Sequence, residues 1–235
     1  MFEHTLQQRP FVCCYLPAQH SRCASTNHRG GPVRAITILI AAAMISGCAF
    51  TVHDVNVDYK YQQPTPLRAS GAKVNVEDFS DSRGTSNPRL IMNMKNLNGH
   101  TTTGGWQAEK PLAEIVRDGV IQALTTAGAT IRSGSNIDLS GQLQDFTSEI
   151  IMGAWDSELR GKLTFKLQLK QAGSGTVLWK DTIIATGAVN GKVGAPALFR
   201  ETLDNALKGL MSDNTFIQQL RNSEAQLPVA TDRVR

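Results

Sequence analysis

The sequence predicts an α+β fold, in which a mainly antiparallel sheet of about four strands carries two helices packed on one face. Three observations support this prediction. Apolar residues alternate with polar ones in several short segments, and they recur at spacings of three and four in two longer segments. The order along the chain is strand, long loop, helix, three strands, helix. We expect one such domain over residues 71–222, followed by a flexible tail over 223–235.

The segment before the first helix combines short strands with polar connections. Alternation at 55–59 predicts a short strand, and the proline-rich residues after it predict a spacer over 60–70. Val74 and Val76 alternate with polar neighbours and indicate the first strand of the domain. Residues 80–108 are rich in Gly, Asn, Ser and Thr and exceed the usual length of a featureless connection, so a functional or mobile loop is expected there.

Residues 110–128 predict the first helix. Pro111 stands where the first helical residue is expected, and Gly128 stands where the chain leaves the helix. Such a segment packs on a sheet when one of its faces is apolar. That face is formed here by Leu112, Val116, Val120, Ala123 and Ala127.

Three further strands are predicted at 137–143, 159–169 and 177–189, where apolar and polar residues alternate. The residues AGSG at 172–175 are typical of a hairpin turn. We therefore expect the last two strands to be antiparallel neighbours.

A second helix is predicted from Pro196 onward, because an apolar stripe follows this proline. Asp213 is expected to cap a short extra turn after that helix. The stripe is formed by Phe199, Leu203, Ala206, Leu207 and Leu210.

Residues 1–47 are expected to form an upstream extension and a signal peptide. The run 35–45 is apolar except for Thr37 and follows Arg34, which is the pattern of the hydrophobic region of a signal peptide. Eleven residues rise only about 16 Å as a helix, roughly half the hydrocarbon thickness of a bilayer, so a permanent membrane span is not indicated.

The residues Ile45-Ser46-Gly47-Cys48 resemble the bacterial lipobox, in which an aliphatic residue and two small ones precede a lipidated cysteine. We expect Cys48 to become the lipidated N-terminus, with acyl chains such as palmitate, and residues 48–70 to form a tether. Several chains anchor a protein stably, whereas one binds marginally. Ala49, in place of an aspartate, favours the outer membrane over the inner one, and we expect the domain at its periplasmic face. The alternatives are a short buried helix ending in a structural cysteine and an uncleaved anchor.

The first 32 residues fit this scheme poorly, because a signal peptide normally begins close to its hydrophobic region. No methionine lies between Met1 and Met44, which leaves Val33 as an alternative start of translation. The cysteines and histidines of this segment lack a CxxC pair, so a metal site is not indicated. They are Cys13, Cys14, His20, Cys23 and His28.

The basic excess of the chain lies mostly before Cys48. Four arginines and one acidic residue precede it, so residues 48–235 hold 20 of the 24 basic and 19 of the 20 acidic residues. A nearly neutral domain has little electrostatic attraction for phosphates, and we expect no nucleic-acid partner. All four cysteines lie at or before position 48, so the folded domain contains no disulfide.

With these segments in place, the chain resembles the YajG-type family of bacterial lipoproteins over roughly residues 48–220. The resemblance implies a small periplasm-facing domain on an outer-membrane anchor, with no established activity. It rests on the lipobox ISGC, on VNVEDFSDSRG, on EKPLAEIVRDGVIQALTTAG and on PALFRETLDNALKGLMSDNTFIQQL.

The sequence indicates no catalytic residue, no cofactor and no metal site. His53 and His100 are the only imidazoles after Cys48, and no nucleophile motif accompanies them. The acids Asp78 and Asp81 are expected to order a turn and to pair with Arg83 rather than to bind a cation.

These observations favour a non-enzymatic lipoprotein that binds another protein of the cell envelope. The predicted loop over 81–106 is the candidate contact region, with Arg83, His100 and Trp106 as its candidate residues. Lipid on Cys48 would raise the effective concentration of the domain near membrane-bound partners. The alternative is a carrier or sensor that holds a small apolar or cell-wall-derived ligand between helices and sheet.

Overall fold

The computed structural model describes residues 52–63, 69, 71–95, 101–152 and 156–225. Within these ranges the protein has nine strands, three α-helices and one 3-10 helix. The elements are β1 Val52–Val55, β2 Lys73–Val76, β3 Ser80–Asp81, β4 Leu90–Lys95, β5 Thr101–Ala108, α1 Leu112–Thr126, β6 Thr130–Ile131, β7 Ile137–Met152, β8 Ser157–Gln171, β9 Val177–Asn190, the 3-10 helix Gly191–Val193, α2 Gly194–Ser212 and α3 Asn214–Ala225.

The large sheet has the strand order β6-β2-β7-β8-β9, and the short strand β3 also pairs with β7. Its three long strands, β7, β8 and β9, are antiparallel, whereas β2 and β3 pair with β7 in parallel. The α+β class and the mainly antiparallel long strands agree with the prediction. The predicted number of about four strands is too low, because the described residues form two sheets.

Alternation along β8 explains why the helices lie on one face of the large sheet. The side chains of Leu163, Phe165, Leu167 and Leu169 are fully buried beneath the helices, while the residues between them are exposed or half-buried on the other side. Aromatic contacts join the helices to this face. Phe199 of α2 meets Phe146 of β7 with ring centroids 5.0 Å apart, and Phe216 of α3 lies 4.7 Å from Trp179 of β9.

Strand β7 continues nine residues past the predicted strand 137–143. The register shifts between Leu143 and Asp145, which places a bulge at Gln144. The bulge moves the next buried side chain to Phe146 and interrupts the alternation. The alternation of buried and exposed residues therefore stops at the bulge, although the strand continues to Met152.

The helix ends follow the predicted capping residues closely. Pro111 precedes α1 by one residue rather than opening it, and Gly128 after α1 has φ +94, a conformation that glycine adopts without strain. Asp213 Oδ1 accepts hydrogen bonds from the backbone N–H groups of Thr215 and Phe216 at 2.7 and 3.3 Å. The cap was expected to begin a short turn, and it begins the 12-residue helix α3 instead.

The predicted loop over 80–108 is wrong. Strands β3, β4 and β5 occupy much of it, and β4 and β5 form a second sheet with β1 in the order β1-β5-β4. Two register shifts interrupt the β4–β5 pair, and the central strand contains two adjacent glycines. A Cβ on Gly105 would collide with the carbonyl oxygen of Met92, so the close approach of the strands requires glycine.

Residues 57–61, which the sequence analysis assigned to the tether, are packed on the domain. Val57, Tyr59 and Tyr61 are buried in the hydrophobic core cluster. Tyr59 Oη donates to Asp204 on α2 at 2.6 Å, and the Tyr61 N–H donates to Gln122 on α1 at 2.9 Å. We call residues 57–61 the N-terminal strap.

Candidate interaction surface

Arg83, predicted as a contact residue, is instead held inside the protein. Its side chain is only 6% exposed. Nε and Nη2 donate to the carboxylate of Asp81 at 2.9 and 2.7 Å. Nη1 donates to the Leu90 carbonyl at 2.8 Å, and Nη2 also donates to the Pro88 carbonyl at 2.7 Å. The side chain therefore joins β3 to the start of β4, and its donors are used within the fold.

The pairing of Asp81 with Arg83 confirms that part of the prediction. Burial by itself raises the pKa of Asp81, but the hydrogen bonds and charge of Arg83 outweigh this effect and hold the pKa below its usual value. The predicted pairing of Asp78 with Arg83 is wrong. Asp78 is fully exposed and lies 3.5 Å from Arg117 of α1.

Trp106 lies in β5, the central strand of the small sheet, opposite His53 and Met92. Its side chain is half-buried and packs against the hydrophobic core cluster. Trp106 thus belongs to the packing of the small sheet rather than to a loop. His100 and Cys48 lie outside the described residues.

The side of the large sheet opposite the helices is largely polar, with Ile151 and Ile184 among its exposed apolar residues, and we call it the open face. Cross-strand pairing places Thr147, Lys162 and Thr186 in one row and Glu149, Arg160 and Ala188 in the next. These six residues line an open cavity of about 880 Å³. The cavity is not confined to the open face, because Gly161 and Gly187 face α2 and because Glu201 and Asn205 belong to that helix; Ser148 and Glu158 complete its lining.

Charges of both signs lie on this face. Arg160 Nε donates to Glu158 Oε1 at 2.7 Å, and this hydrogen bond lowers the pKa of Glu158. Lys162 is exposed, and its side chain forms no hydrogen bond or ion pair with another described residue. The strand prediction at 159–169 rests on the apolar half of the β8 alternation alone. The alternation of Arg160, Lys162 and Lys166 along β8 is the signal that could have identified this face.

Strand β9 forms one edge of the large sheet. It pairs with β8 over Val177–Asn190, and no other described strand pairs with its outer side. Near its end, Asn205 of α2 donates to the Thr186 carbonyl at 3.0 Å. An edge strand of 14 residues presents backbone donors and acceptors that can pair with an added strand.

The space between the helices and the sheet is closely packed in the described residues. Leu139, Leu163, Leu198 and Leu203 in this interface are fully buried. The cavities around the open face, at the β7–β8 hairpin and near Asp78, are bordered largely by polar and charged residues. These three cavities do not have the apolar lining that is typical of a site for a small apolar ligand.

Two further features are absent from the described residues. No group of three or more His, Cys, Asp or Glu side chains could hold a metal ion in this part of the chain. None of its helices combines the length and hydropathy that a membrane crossing requires.

The fold resembles that of solved proteins, although no known family model and no curated protein matches the sequence. Protein XCC0632 from Xanthomonas campestris, of family DUF330, has a similar crystal structure. The two are 18% identical with a TM-score of 0.53, over 73% of this chain and 99% of that one. This likeness shows a shared fold.

Two further solved structures are more distant. A minor lipoprotein from Acinetobacter baumannii is 14% identical with a TM-score of 0.35, over 69% of this chain and 97% of that one. Lipoprotein GNA1162 from Neisseria meningitidis is 11% identical with a TM-score of 0.33, over 55% and 90%. These low TM-scores add nothing to the fold assignment. None of these three proteins is described as a member of the YajG-type family, and that resemblance stays a prediction.

Proposed function

We propose that this protein is a lipoprotein of the bacterial envelope that binds another envelope protein and has no catalytic activity. Lipid on Cys48 holds it at the periplasmic face of the outer membrane. The lipobox at 45–48 and the apolar run 35–45 before it support the anchor. The more distantly similar proteins from Acinetobacter baumannii and Neisseria meningitidis are themselves described as lipoproteins.

The anchor keeps the domain close to the membrane. Val52, the first described residue, begins β1 only four residues after Cys48. Four residues span at most about 14 Å when fully extended. Because β1 and the N-terminal strap are packed into the domain, no long flexible tether separates the domain from its lipid. A partner that is itself bound to the membrane would therefore meet the domain at high effective concentration.

The observation that carries the binding proposal is the open face together with the free edge of β9. The face offers charges of both signs, and the edge offers a row of backbone hydrogen-bonding groups. A partner strand or loop can pair with the edge while its side chains contact the face. Arg83 and Trp106, by contrast, are used in internal contacts.

Intact mass spectrometry of the protein extracted from membranes tests the anchor. The expected mass is that of residues 48–235 plus several acyl chains, and Cys48→Ser should leave the unlipidated precursor. A Cys48→Ser protein that still carries lipid would refute the proposed anchor. An unlipidated wild-type protein that retains residues 1–47 would also refute it.

Site-specific photocrosslinking in cells tests the binding surface. A crosslinking amino acid at Lys162 on the open face should capture a partner protein. The same group at Lys208, which is exposed on α2, serves as the matched control and should not. Equal capture from both positions, or capture from Lys208 alone, would place the binding surface elsewhere.

A further inference from the structure

The closed end of the β7–β8 hairpin exposes apolar side chains. Ile150 is 50% exposed and Met152 is 80% exposed. Val193, in the 3-10 helix that follows β9, is 56% exposed. Ile150 pairs with Leu159, and Leu159 pairs with Val189, so the three side chains form an apolar row across the sheet. Ile150 is the end of this row that extends beyond the part of the sheet covered by the helices. A cluster of exposed aliphatic side chains at one end of a domain marks a contact site.

This cluster shares one end of the molecule with the N-terminal ends of α1 and α2. Strand β9 ends at Asn190, opposite Glu158 of the hairpin, and the 3-10 helix then leads directly into α2. A Cβ on Gly191 would collide with the side chain of Ser157, which shows how closely this connection lies against the hairpin. The start of α2 and the hairpin are therefore neighbours.

The chain that comes from the anchor reaches the domain at the same end. The Val57 carbonyl accepts from Arg200 Nη1 at 3.2 Å, in the second turn of α2, whereas Tyr59 contacts Asp204 one turn further along. The Val57 N–H donates to Glu109 just before α1 at 2.8 Å. The strap therefore runs along both helices from their N-terminal ends, and β1 precedes it. We call this region the hairpin end.

We propose that the hairpin end rests on the membrane that holds the lipid of Cys48, with Ile150, Met152 and Val193 in the interfacial layer. This proposal builds on the proposed lipid anchor. A fully extended chain from Cys48 to Val52 covers at most about 14 Å, so β1 is held near the bilayer surface. Aliphatic side chains that are kept so close to a bilayer gain free energy by entering its interface.

The charged residues near the hairpin end limit the depth of this contact. Glu149 and Arg160 lie opposite each other on the open face, three residue pairs before the last pair of the hairpin, and Glu158 pairs with Ile151. Charged groups avoid the hydrocarbon, so they stay in the headgroup layer and only the projecting aliphatic side chains pass below it. The open face would then stand next to the membrane, within reach of a membrane-bound partner.

A fluorescent probe at residue 152 tests this proposal directly. The mature chain has no cysteine besides Cys48, whose sulfur carries the lipid, so Met152→Cys introduces the single free thiol. The lipidated protein is labelled with an environment-sensitive dye and reconstituted in phosphatidylethanolamine and phosphatidylglycerol vesicles. Some vesicles contain nitroxide-labelled lipids that quench the dye on contact. Ser174→Cys, in the exposed turn between β8 and β9 at the opposite end of the sheet, is the matched control.

The dye at residue 152 is expected to shift to shorter emission wavelengths and to be quenched several-fold more by nitroxide lipids than the dye at residue 174. Aqueous iodide should show the reverse order. Equal quenching of both dyes in protein that floats with the vesicles would overturn the inference and leave the anchor intact. The inference would also be overturned if protection of the dye at residue 152 from iodide depended on protein concentration and not on lipid. That result would indicate contact with a second copy of the protein. Wild-type protein that fails to float would refute the anchor itself.

Discussion

The two sides of strand β8 differ in what covers them, although they belong to the same backbone. On the side of the helices, Leu163, Phe165 and Leu167 are fully buried. On the open face, Arg160 and Lys162 are exposed. Because successive side chains of a strand point to opposite sides, one alternating sequence supplies both a core and a free polar surface. Substitutions on the first side should therefore affect folding, and substitutions on the second should affect binding.

The largest effect is expected for a charge placed on the covered side. Leu203→Asp puts a carboxylate without a partner among fully buried residues of α2 and should reduce the free energy of unfolding by more than about 4 kcal/mol. Urea denaturation followed by circular dichroism measures this change. Lys208→Asp, on the exposed side of the same helix, is the control and should remain folded. A stable Leu203→Asp protein would contradict the assigned helix face.

A smaller loss of unfolding free energy is expected when the buried Arg83 is replaced, and the exposed Arg160 provides the comparison. Arg83→Met removes the bonds to Asp81 and to two backbone carbonyls and should cost about 2–3 kcal/mol of unfolding free energy. Arg160→Met removes only a solvent-exposed pair with Glu158 and should cost clearly less. Similar losses for the two variants would show that Arg83 is not a structural residue.

The cost of Arg83→Met should also depend on pH. The pKa of Asp81 is lower in the folded protein than in the unfolded chain, so ionised Asp81 stabilises the fold at a pH above its unfolded value of about 3.9. That contribution is lost as the pH falls through the lower folded value. The difference in stability between wild type and Arg83→Met is therefore expected to be constant near neutrality and to shrink in acid. Chemical denaturation at several pH values measures it.

The distance between α2 and the sheet provides the next test. A Cβ on Gly187 would lie 2.8 Å from the backbone nitrogen of Thr202, so Gly187→Ala should destabilise the protein by about 1–3 kcal/mol through overpacking. Gly209→Ala, on an open side of α2, meets no atom within 4 Å. It should leave stability unchanged or raise it by up to about 1 kcal/mol, because alanine favours helix. Thermal melts of the two variants should shift in opposite directions or by clearly different amounts.

The smallest effect on folding is expected on the open face. Lys162→Gln should change the free energy of unfolding by less than about 0.5 kcal/mol, because an exposed lysine loses little on replacement. The same variant should weaken capture of the proposed partner. A Lys162→Gln protein that is clearly destabilised would remove the distinction between the two sides of the sheet.

Local sequence patterns were sufficient to predict the helices, their capping residues and the alternating strands. The stripe that includes Leu203, the glycine at 128 and the cap at Asp213 were identified because helix periodicity and capping depend on neighbours within a few residues. The strands around Val74, Leu163 and Trp179 were identified because their buried residues alternate. The expected lipid anchor also comes from a local motif.

Contacts between distant residues produced the main features that the predictions missed. Gly105 lowers strand propensity, but β5 forms because β1 and β4 pair with it on both sides. Arg83 looks like any polar loop residue until Leu90 and Pro88 supply carbonyl acceptors. The sequence by itself determined the α+β class, the presence of the two long helices and the expected anchor, since each depends on short-range periodicity or a short motif. Only the tertiary structure decided the small sheet, the packed strap and the open face, because strand pairing and burial depend on residues far apart in the chain.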